Sequence, residues 1–168
     1  GMFFDPVFNE IILFGGYLNG DTHTDDTWIY NCTANTWYQI YPPTHPSIRY
    51  GHTFANDESL QVGVFYAGRE IDLKSDAGLF NRSSSTWTIQ YPSSPRIRYG
   101  TTIVYNPIDA NFIMFGGDNE QSPIRALDDT WTFDANFGQT LDCIFLDFFI
   151  VWHVTIYNVI LKYETRIP

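Results

Sequence analysis

An internal repeat of about fifty residues is the feature that most constrains how this chain folds. The tetrapeptide Ile-Arg-Tyr-Gly stands at residues 48–51 and again at 97–100. An aromatic residue followed by Gly-Gly or Ala-Gly occupies residues 14–16, 66–68 and 115–117, in the same frame. Several landmarks that recur in one frame indicate a single structural unit that is repeated along the chain.

Each copy of the repeat is predicted to form four short strands, A to D. Aromatic residues make up 18% of the chain and suit half-buried pleated surfaces, while 12 Gly and 9 Pro provide turns between short strands. No segment shows the helical period with caps. The predicted strands are 2–5, 10–14, 27–31 and 36–40 in the first copy; 50–55, 61–66, 77–81 and 86–90 in the second; and 100–105, 111–115 and 130–134 in the third.

The hallmark of each unit is an apolar run that ends in Gly-Gly, followed by an aromatic residue, six further residues and a tryptophan. Tyr30 and Trp37 form this pair in the first copy, and Phe80 and Trp87 form it in the second. Over about residues 1–134 the chain resembles the Kelch family in these positions. The resemblance implies an all-β, Kelch-type β-propeller. Because propellers close with roughly four to eight blades, three copies imply an incomplete open arc of about three four-stranded blades.

The period divides the chain into three predicted blades and a tail. The first blade starts within its strand A, and the third is incomplete, because Thr140 stands where the repeat predicts tryptophan. The predicted units are 1–48, 49–97 and 98–138, with an atypical apolar tail at 139–168.

The tail leaves three interpretations open. Its length would allow a membrane-spanning helix. Asp147, His153 and many β-branched residues favour one or two strands instead, at 141–151 and 155–163. The loss of the period also fits sequence that is not native to the repeat, from a truncated or frame-shifted gene.

The repeated landmarks are predicted to have structural roles. Glycine after strand B permits positive φ or close approach to the next blade. Tryptophans on outer strands bury area between blades, and Arg49 and Arg98, at the head of strand A, satisfy turn carbonyls. The aspartate before strand C is expected to bond local backbone donors. The predicted landmarks are Gly15, Gly16, Tyr30, Trp37, Arg49, Gly68, Phe80, Trp87, Arg98, Gly116, Gly117 and Trp131.

A binding face is predicted where the B–C and D–A connections meet. Strands alternate in direction within a blade, so these connections share one side. The B–C loops, at 17–25, 69–75 and 118–128, are the long ones, and function on such folds lies in loops. The candidate binding residues are Tyr17, Asn19, Asp21, His23, Arg69, Glu70, Lys74, Asp118, Glu120 and Arg125.

No catalytic residue, metal or cofactor is predicted. Residues 19–26 carry oxygen ligands at alternate positions, as calcium prefers, but they lack the EF-hand spacing and a bidentate glutamate. Aspartates recur at 25–26 and 128–129, which favours a structural turn role. The histidines lack metal-ligand spacing, no Gly-x-Ser-x-Gly motif occurs, and neither Cys32 nor Cys143 has a histidine nearby in sequence.

The charge balance narrows the class of partner. The formal net charge is −10, from 19 acidic against 9 basic residues, which is unsuited to nucleic acid and to anionic membrane surfaces. Fold-level analogy with Kelch propellers predicts a module that binds a partner protein, and the acidic balance favours a basic partner. The remaining blades or self-association would be needed to close the ring.

Two alternatives to protein binding stay open. One is a secreted or surface carbohydrate-binding or carbohydrate-active protein, in which Tyr17, Asn19 and Asp21 stack on and hydrogen-bond a sugar. The other is a gene fragment without function.

Overall fold

The computed structural model of the chain describes residues 1–92, 95–121 and 126–135, and the backbone of two short strands at 145–147 and 150–152. Every regular element in these residues is a β-strand. Among them no helix is long and apolar enough to cross a membrane. The prediction of an all-β fold built from blade-like antiparallel sheets is confirmed.

Three large antiparallel sheets follow one another along the chain, and we call them blades 1 to 3. The sheet orders are β1-β2-β3-β4, β5-β6-β7-β8 and β11-β10-β9. Blade 1 contains β1 (Met2–Asp5), β2 (Glu10–Leu18), β3 (Thr22–Asn31) and β4 (Thr36–Ile40). Blade 2 contains β5 (Thr53–Asp57), β6 (Val62–Tyr66), β7 (Ala77–Asn81) and β8 (Thr86–Gln90). Blade 3 contains β9 (Thr102–Asn106), β10 (Asn111–Asp118) and β11 (Ala126–Phe133).

The described part of the tail differs from its prediction. Where one strand was expected at 141–151, the described residues form two short strands, β12 (Phe145–Asp147) and β13 (Ile150–Trp152), which pair antiparallel. The expected strand at 155–163, like Thr140 and His153, lies outside the described residues. The blade boundaries at 48, 97 and 138 stay a prediction.

Strand A begins later than predicted in blades 2 and 3. The predicted strands start at residues 50 and 100, whereas Tyr50 and Tyr99 form isolated bridges with Arg69 and Asp118. The glycines that follow these tyrosines have φ of 63° and 64°, a left-handed conformation that interrupts an extended strand. As a result, β5 and β9 each begin two residues after the glycine.

The Gly-Gly landmark forms a bulge that brings neighbouring blades together. The β2–β3 register shifts between Phe14 and Gly16, and the Gly16 amide donates to the Arg49 carbonyl at 2.9 Å. Gly15 has φ of 55°, and a Cβ there would lie 2.7 Å from that same carbonyl oxygen. Likewise the Gly68 amide donates to the Arg98 carbonyl at 3.1 Å. The prediction of close backbone approach after strand B is therefore confirmed at these two junctions.

An aromatic cluster fills the space between blades 1 and 2. Trp87 of β8 is 4% exposed, and its ring centroid lies 5.1 Å from Phe14 of blade 1 and 4.8 Å from Phe80 of its own blade. Its indole Nε1 donates to Thr27 Oγ1 across the junction at 3.2 Å. Trp37 holds the same place in blade 1, yet it is 47% exposed and contacts Tyr30.

A second cluster joins blades 2 and 3. Tyr66 and Val64 of β6 are fully buried against blade 3, together with Phe112 and Met114 of β10. Trp131 is also buried in this cluster, and its Nε1 donates to Asp129 Oδ2 at 2.5 Å. In both junctions, every second residue along the strands is buried against the neighbouring blade.

His52 is a buried titratable group at the first junction. Its ring lies among aromatic rings, with centroids 5.7 Å from Phe14 and 5.4 Å from Phe54. Burial lowers the pKa of His52 well below its usual range, and the charge of Arg49 lowers it further. Blade 3 has Thr101 at this place in the repeat, where Thr101 Oγ1 donates to the Phe115 carbonyl at 2.9 Å.

We expect His52→Thr to remove part of the acid sensitivity of the fold. A histidine that stays neutral when folded but takes up a proton when unfolded makes stability rise with pH. Its effect is absent well above the unfolded pKa of about 6.5 and grows by about 1.4 kcal/mol for each pH unit below it. Urea unfolding of wild type and variant at pH 7.5, 6 and 5 measures the two slopes. Parallel stability profiles would show that His52 is protonated in the folded chain.

Candidate partner-binding face

The connections that were predicted to be long loops are shorter in blades 1 and 3. The β2–β3 ladder resumes beyond the glycine bulge and pairs Tyr17 with His23, so only residues 19–21 remain at the tip. In blade 3, β10 continues to Asp118 and β11 begins at Ala126. The predicted loop at 17–25 is therefore largely made of β-hairpin arms, and within the predicted loop at 118–128 residue 118 and residues 126–128 belong to strands.

A row of aromatic side chains starts on the first of these hairpins. Tyr17 and His23 face each other across the ladder with ring centroids 5.2 Å apart. Both contact Tyr50 of the β4–β5 connection, with centroids 5.4 Å from Tyr17 and 4.8 Å from His23. Asp21 accepts a hydrogen bond from the Tyr17 hydroxyl, and this bond is the main cause that raises the pKa of Tyr17.

Arg69 continues the row from blade 2 to blade 3. Its backbone forms two hydrogen bonds with Tyr50, of 2.8 and 2.9 Å. Its guanidinium lies 5.8 Å from the Tyr50 ring centroid and 5.2 Å from that of Tyr99, within cation–π range. The same guanidinium forms an ion pair with Glu120 of blade 3. Desolvation opposes the charged form, but the Glu120 carboxylate raises the pKa of Arg69, so the guanidinium stays charged.

The remaining predicted residues lie around this row. Lys74 and Glu70 form a separate ion pair in the β6–β7 connection, with nitrogen and oxygen 3.6 Å apart. Asp118 Oδ1 accepts from the Glu120 amide at 2.6 Å and so shapes the turn that presents Glu120. Asn19 is exposed at the tip of the first hairpin. Arg125 lies outside the described residues.

Two buried ion pairs hold the connections in place. Arg49 donates from Nη1 and Nη2 to the two carboxylate oxygens of Asp76, at 2.7 and 2.6 Å, and Nη1 also donates to the Ala67 carbonyl at 2.9 Å. Arg98 repeats this geometry in blade 3, with Asp129 at 2.6 and 2.8 Å. The predicted binding of turn carbonyls by these arginines is confirmed.

The expected role of the aspartates in these pairs omitted their arginine partners. Asp76 and Asp129 were expected to bond local backbone donors before strand C, whereas both carboxylates pair with an arginine. Burial raises the pKa of Asp129, but the hydrogen bonds from Arg98 and Trp131 outweigh it and lower the pKa overall. A bidentate guanidinium–carboxylate pair gives stronger and more directional bonding than a single backbone amide.

Two clefts open between neighbouring connections on this side of the blades. One, of about 330 Å³, is lined by Pro95, Arg96 and Ile97 of the β8–β9 connection and by Asn119 and Gln121 of blade 3. The other, of about 320 Å³, lies between the β4–β5 and β6–β7 connections. Its lining includes His45, Pro46, Ser47, Leu73, Lys74 and Tyr91.

The sequence prediction missed two central members of the face, Tyr50 and Tyr99. Both belong to the repeated Ile-Arg-Tyr-Gly tetrapeptide, so their recurrence was interpreted as structural. The signal that could have found them is their place in the D–A connection, directly beside the arginine of each copy.

The carboxylates of the described part of this face are mostly paired with other side chains. In the described residues, no group of three or more His, Cys, Asp or Glu side chains could hold a metal ion. The carboxylates discussed above are occupied by Arg49, Arg98, Arg69 and Lys74, or by the Tyr17 hydroxyl. What the face offers is aromatic rings, a charged guanidinium and clefts, which suits recognition.

Two four-stranded antiparallel blades and a third with three described strands, all with matching landmarks, are typical of a repeat protein of the propeller type. The Kelch motif family matches residues 9–43, which cover strands β2, β3 and β4. The resemblance to Kelch repeats is therefore confirmed over this segment, and Kelch repeats are in general non-catalytic modules for protein interaction. No curated protein matches the chain in a sequence comparison.

Proposed function

We propose that this chain is a non-catalytic interaction module that binds a partner protein through the face just described. The observation that carries the proposal is the continuous row from Tyr17 through Tyr50, Arg69 and Tyr99 to Glu120, which spans all three blades. A row of this kind presents large contact area without requiring a deep pocket.

The composition of the face supports protein binding. Tyrosine and arginine are enriched among the residues that contribute most to protein–protein binding energy. Tyrosine also loses little conformational entropy when it becomes fixed. Further apolar side chains stand exposed in the same connections: Tyr41 is 81% exposed, Tyr91 is 83% and Ile71 is 80%. Such residues offer anchors around the central row.

The charge of the chain favours a basic partner. The net charge of −10 produces a negative field that attracts basic surfaces during encounter. Binding that depends on this field weakens as salt is added, because exposed charges are screened beyond about 10 Å at 0.1 M ionic strength.

We expect Arg69→Ala to lower the affinity for peptides selected on this chain about 30-fold, as is typical when a residue that contributes strongly to binding energy is truncated. Peptides are selected from a random display library on the immobilised full chain, and their affinities are measured by calorimetry. Tyr50→Ala tests the neighbouring ring. The control is Ile108→Ala, because Ile108 is 91% exposed and lies in the β9–β10 turn on the opposite side of the blades.

Two results would contradict the proposal. One is that selected peptides bind the Arg69 and Tyr50 variants as well as the wild type. The other is that no peptide is selected while a glycan array gives specific binding, with or without calcium, which would favour the carbohydrate alternative. Affinity that does not change between 50 and 300 mM salt would contradict only the claim that the partner is basic, and not the binding face itself.

A further inference from the structure

The outer side of blade 1 carries an exposed apolar surface. Side chains alternate across a sheet, and Phe3, Ile12 and Ile29 are buried towards blade 2. The residues that alternate with them therefore point away from blade 2. We call this set the front face of blade 1: Met2, Phe4, Ile11, Leu13, Trp28, Tyr30 and Trp37. Met2 is 58% exposed, Phe4 is 49% and Trp37 is 47%.

The front face of blade 1 matches a surface that is buried elsewhere in this chain. The strand registers place Met2, Ile11, Leu13, Trp28 and Tyr30 where blade 3 has other residues of the same kind. Those counterparts, all buried against blade 2, are Ile103, Phe112, Met114, Trp131 and Phe133. A similar set of apolar side chains is thus buried in blade 3, whereas in blade 1 Met2 is exposed and the other four are only half-buried.

The outer side of blade 3 is the complementary surface. Val104 is 52% exposed and Phe115 is 56% exposed, and Ile113 and two threonines lie between them. We call this set the back face of blade 3: Val104, Ile113, Phe115, Thr130 and Thr132. The corresponding residues of blade 1, all buried against blade 2, are Phe3, Ile12, Phe14, Thr27 and Ile29.

We propose that a second copy of this chain binds these two faces head to tail, with the front face of blade 1 on the back face of blade 3. Every junction inside the chain packs a front face on a back face, so the contact between copies continues the existing pattern. Two copies joined in this way at both ends form a ring of six blades with twofold symmetry. Six lies within the four to eight blades of closed propellers, and three copies would exceed that range.

The template junction specifies the contacts between copies. Trp87 Nε1 donates to Thr27 Oγ1 between blades 1 and 2, and Trp37 and Thr130 hold the same places on the exposed faces. Trp37 of one copy therefore donates to Thr130 of the other.

The charge pattern at the rim of the junction is compatible with this contact. At the template junction Arg82 pairs with Glu10 at 2.6 Å. The corresponding residues on the exposed faces are Cys32 and Asn111, so the contact between copies buries no unpaired charge at these two positions.

The test is the mass of the full chain in solution, by sedimentation equilibrium over a hundredfold range of concentration. We expect a reversible monomer–dimer equilibrium without larger species. Trp37→Arg blocks the front face, and Phe115→Arg blocks the back face, and each is expected to weaken dimerisation at least 100-fold. Both side chains are exposed, so the single chains keep their far-UV circular dichroism. Ile108→Arg, equally exposed but on neither face, is expected to dimerise as the wild type does.

Mixing the two blocked variants distinguishes head-to-tail from symmetric pairing. The intact front face of the Phe115 variant meets the intact back face of the Trp37 variant, so the mixture forms a one-to-one complex that neither variant forms alone. Three outcomes would overturn the proposal: a wild-type chain that stays monomeric, polymers that grow with concentration, or a Phe115 variant that dimerises normally. The first would mean that something other than a second copy covers these faces.

Discussion

Arg49→Ala is expected to lower the free energy of unfolding by about 3 to 5 kcal/mol. Arg49 is fully buried, and it donates to both carboxylate oxygens of Asp76 and to the Ala67 carbonyl. The variant leaves the Asp76 charge largely buried without a guanidinium, and breaking such a pair on one side is far more costly than removing it whole. Urea unfolding followed by circular dichroism measures the loss.

The matched control is Arg96→Ala. Arg96 is an exposed arginine whose backbone carbonyl, unaffected by the change, accepts from Arg98 Nε at 3.1 Å. Its removal is expected to change stability by less than about 0.5 kcal/mol. Removing both charges of the buried pair, by Arg49→Met with Asp76→Leu, is expected to cost clearly less than the sum of the two single changes. Strict additivity, or a loss below about 1 kcal/mol for Arg49→Ala, would contradict the role of this pair.

The arginines illustrate how far the repeat alone could lead. Recurrence identified Arg49 and Arg98 as structural, and the chemistry of guanidinium predicted their carbonyl partners. It did not pair them with Asp76 and Asp129, which lie 27 and 31 residues further along the chain. The separation between arginine and aspartate differs between the two pairs. A fixed sequence period therefore cannot reveal them, because the B–C connection must fold before the two residues meet.

The hairpins illustrate a limit of a different kind. The sequence prediction ends strand B at residues 14 and 115, directly before Gly-Gly, and glycine weakens a strand interior. In blades 1 and 3 the glycines form a bulge, after which pairing resumes to Leu18 and Asp118. Gly-Gly is compatible with a bulge and with a strand end. Which of the two forms depends on whether the residues after it pair with the neighbouring strand.

The sequence prediction named four residues of the row on the candidate face but not the two that connect them. Tyr17, His23, Arg69 and Glu120 were selected for exposure and chemistry, and the structure brings them into one row. The row is connected by Tyr50 and Tyr99, whose contacts come from different blades. Contacts between blades depend on how sheets stack, and a period within the sequence does not contain that information.

Trp87→Ala is expected to destabilise the chain by about 3 to 5 kcal/mol, as is typical for a buried tryptophan. The ring is 4% exposed and contacts Phe14, Phe54, Phe65 and Phe80 with centroids 4.8 to 5.9 Å away. Alanine leaves a cavity at the centre of the junction and also removes the donor to Thr27. Because the contacts span two blades, thermal unfolding should lose cooperativity as well as midpoint temperature.

Trp37→Ala provides the comparison, since the two tryptophans hold the same place in their blades. Trp37 is 47% exposed, and the one described ring it packs on is Tyr30, at 5.1 Å. Measured at dilutions where the chain is monomeric, its loss is expected to cost at most about 1 kcal/mol. The contrast isolates what the neighbouring blade contributes, because both changes remove the same side chain from the same kind of strand. Equal losses would mean that Trp87 stabilises its own sheet, and stacking of blades through their aromatic sides would then not be what holds the chain together.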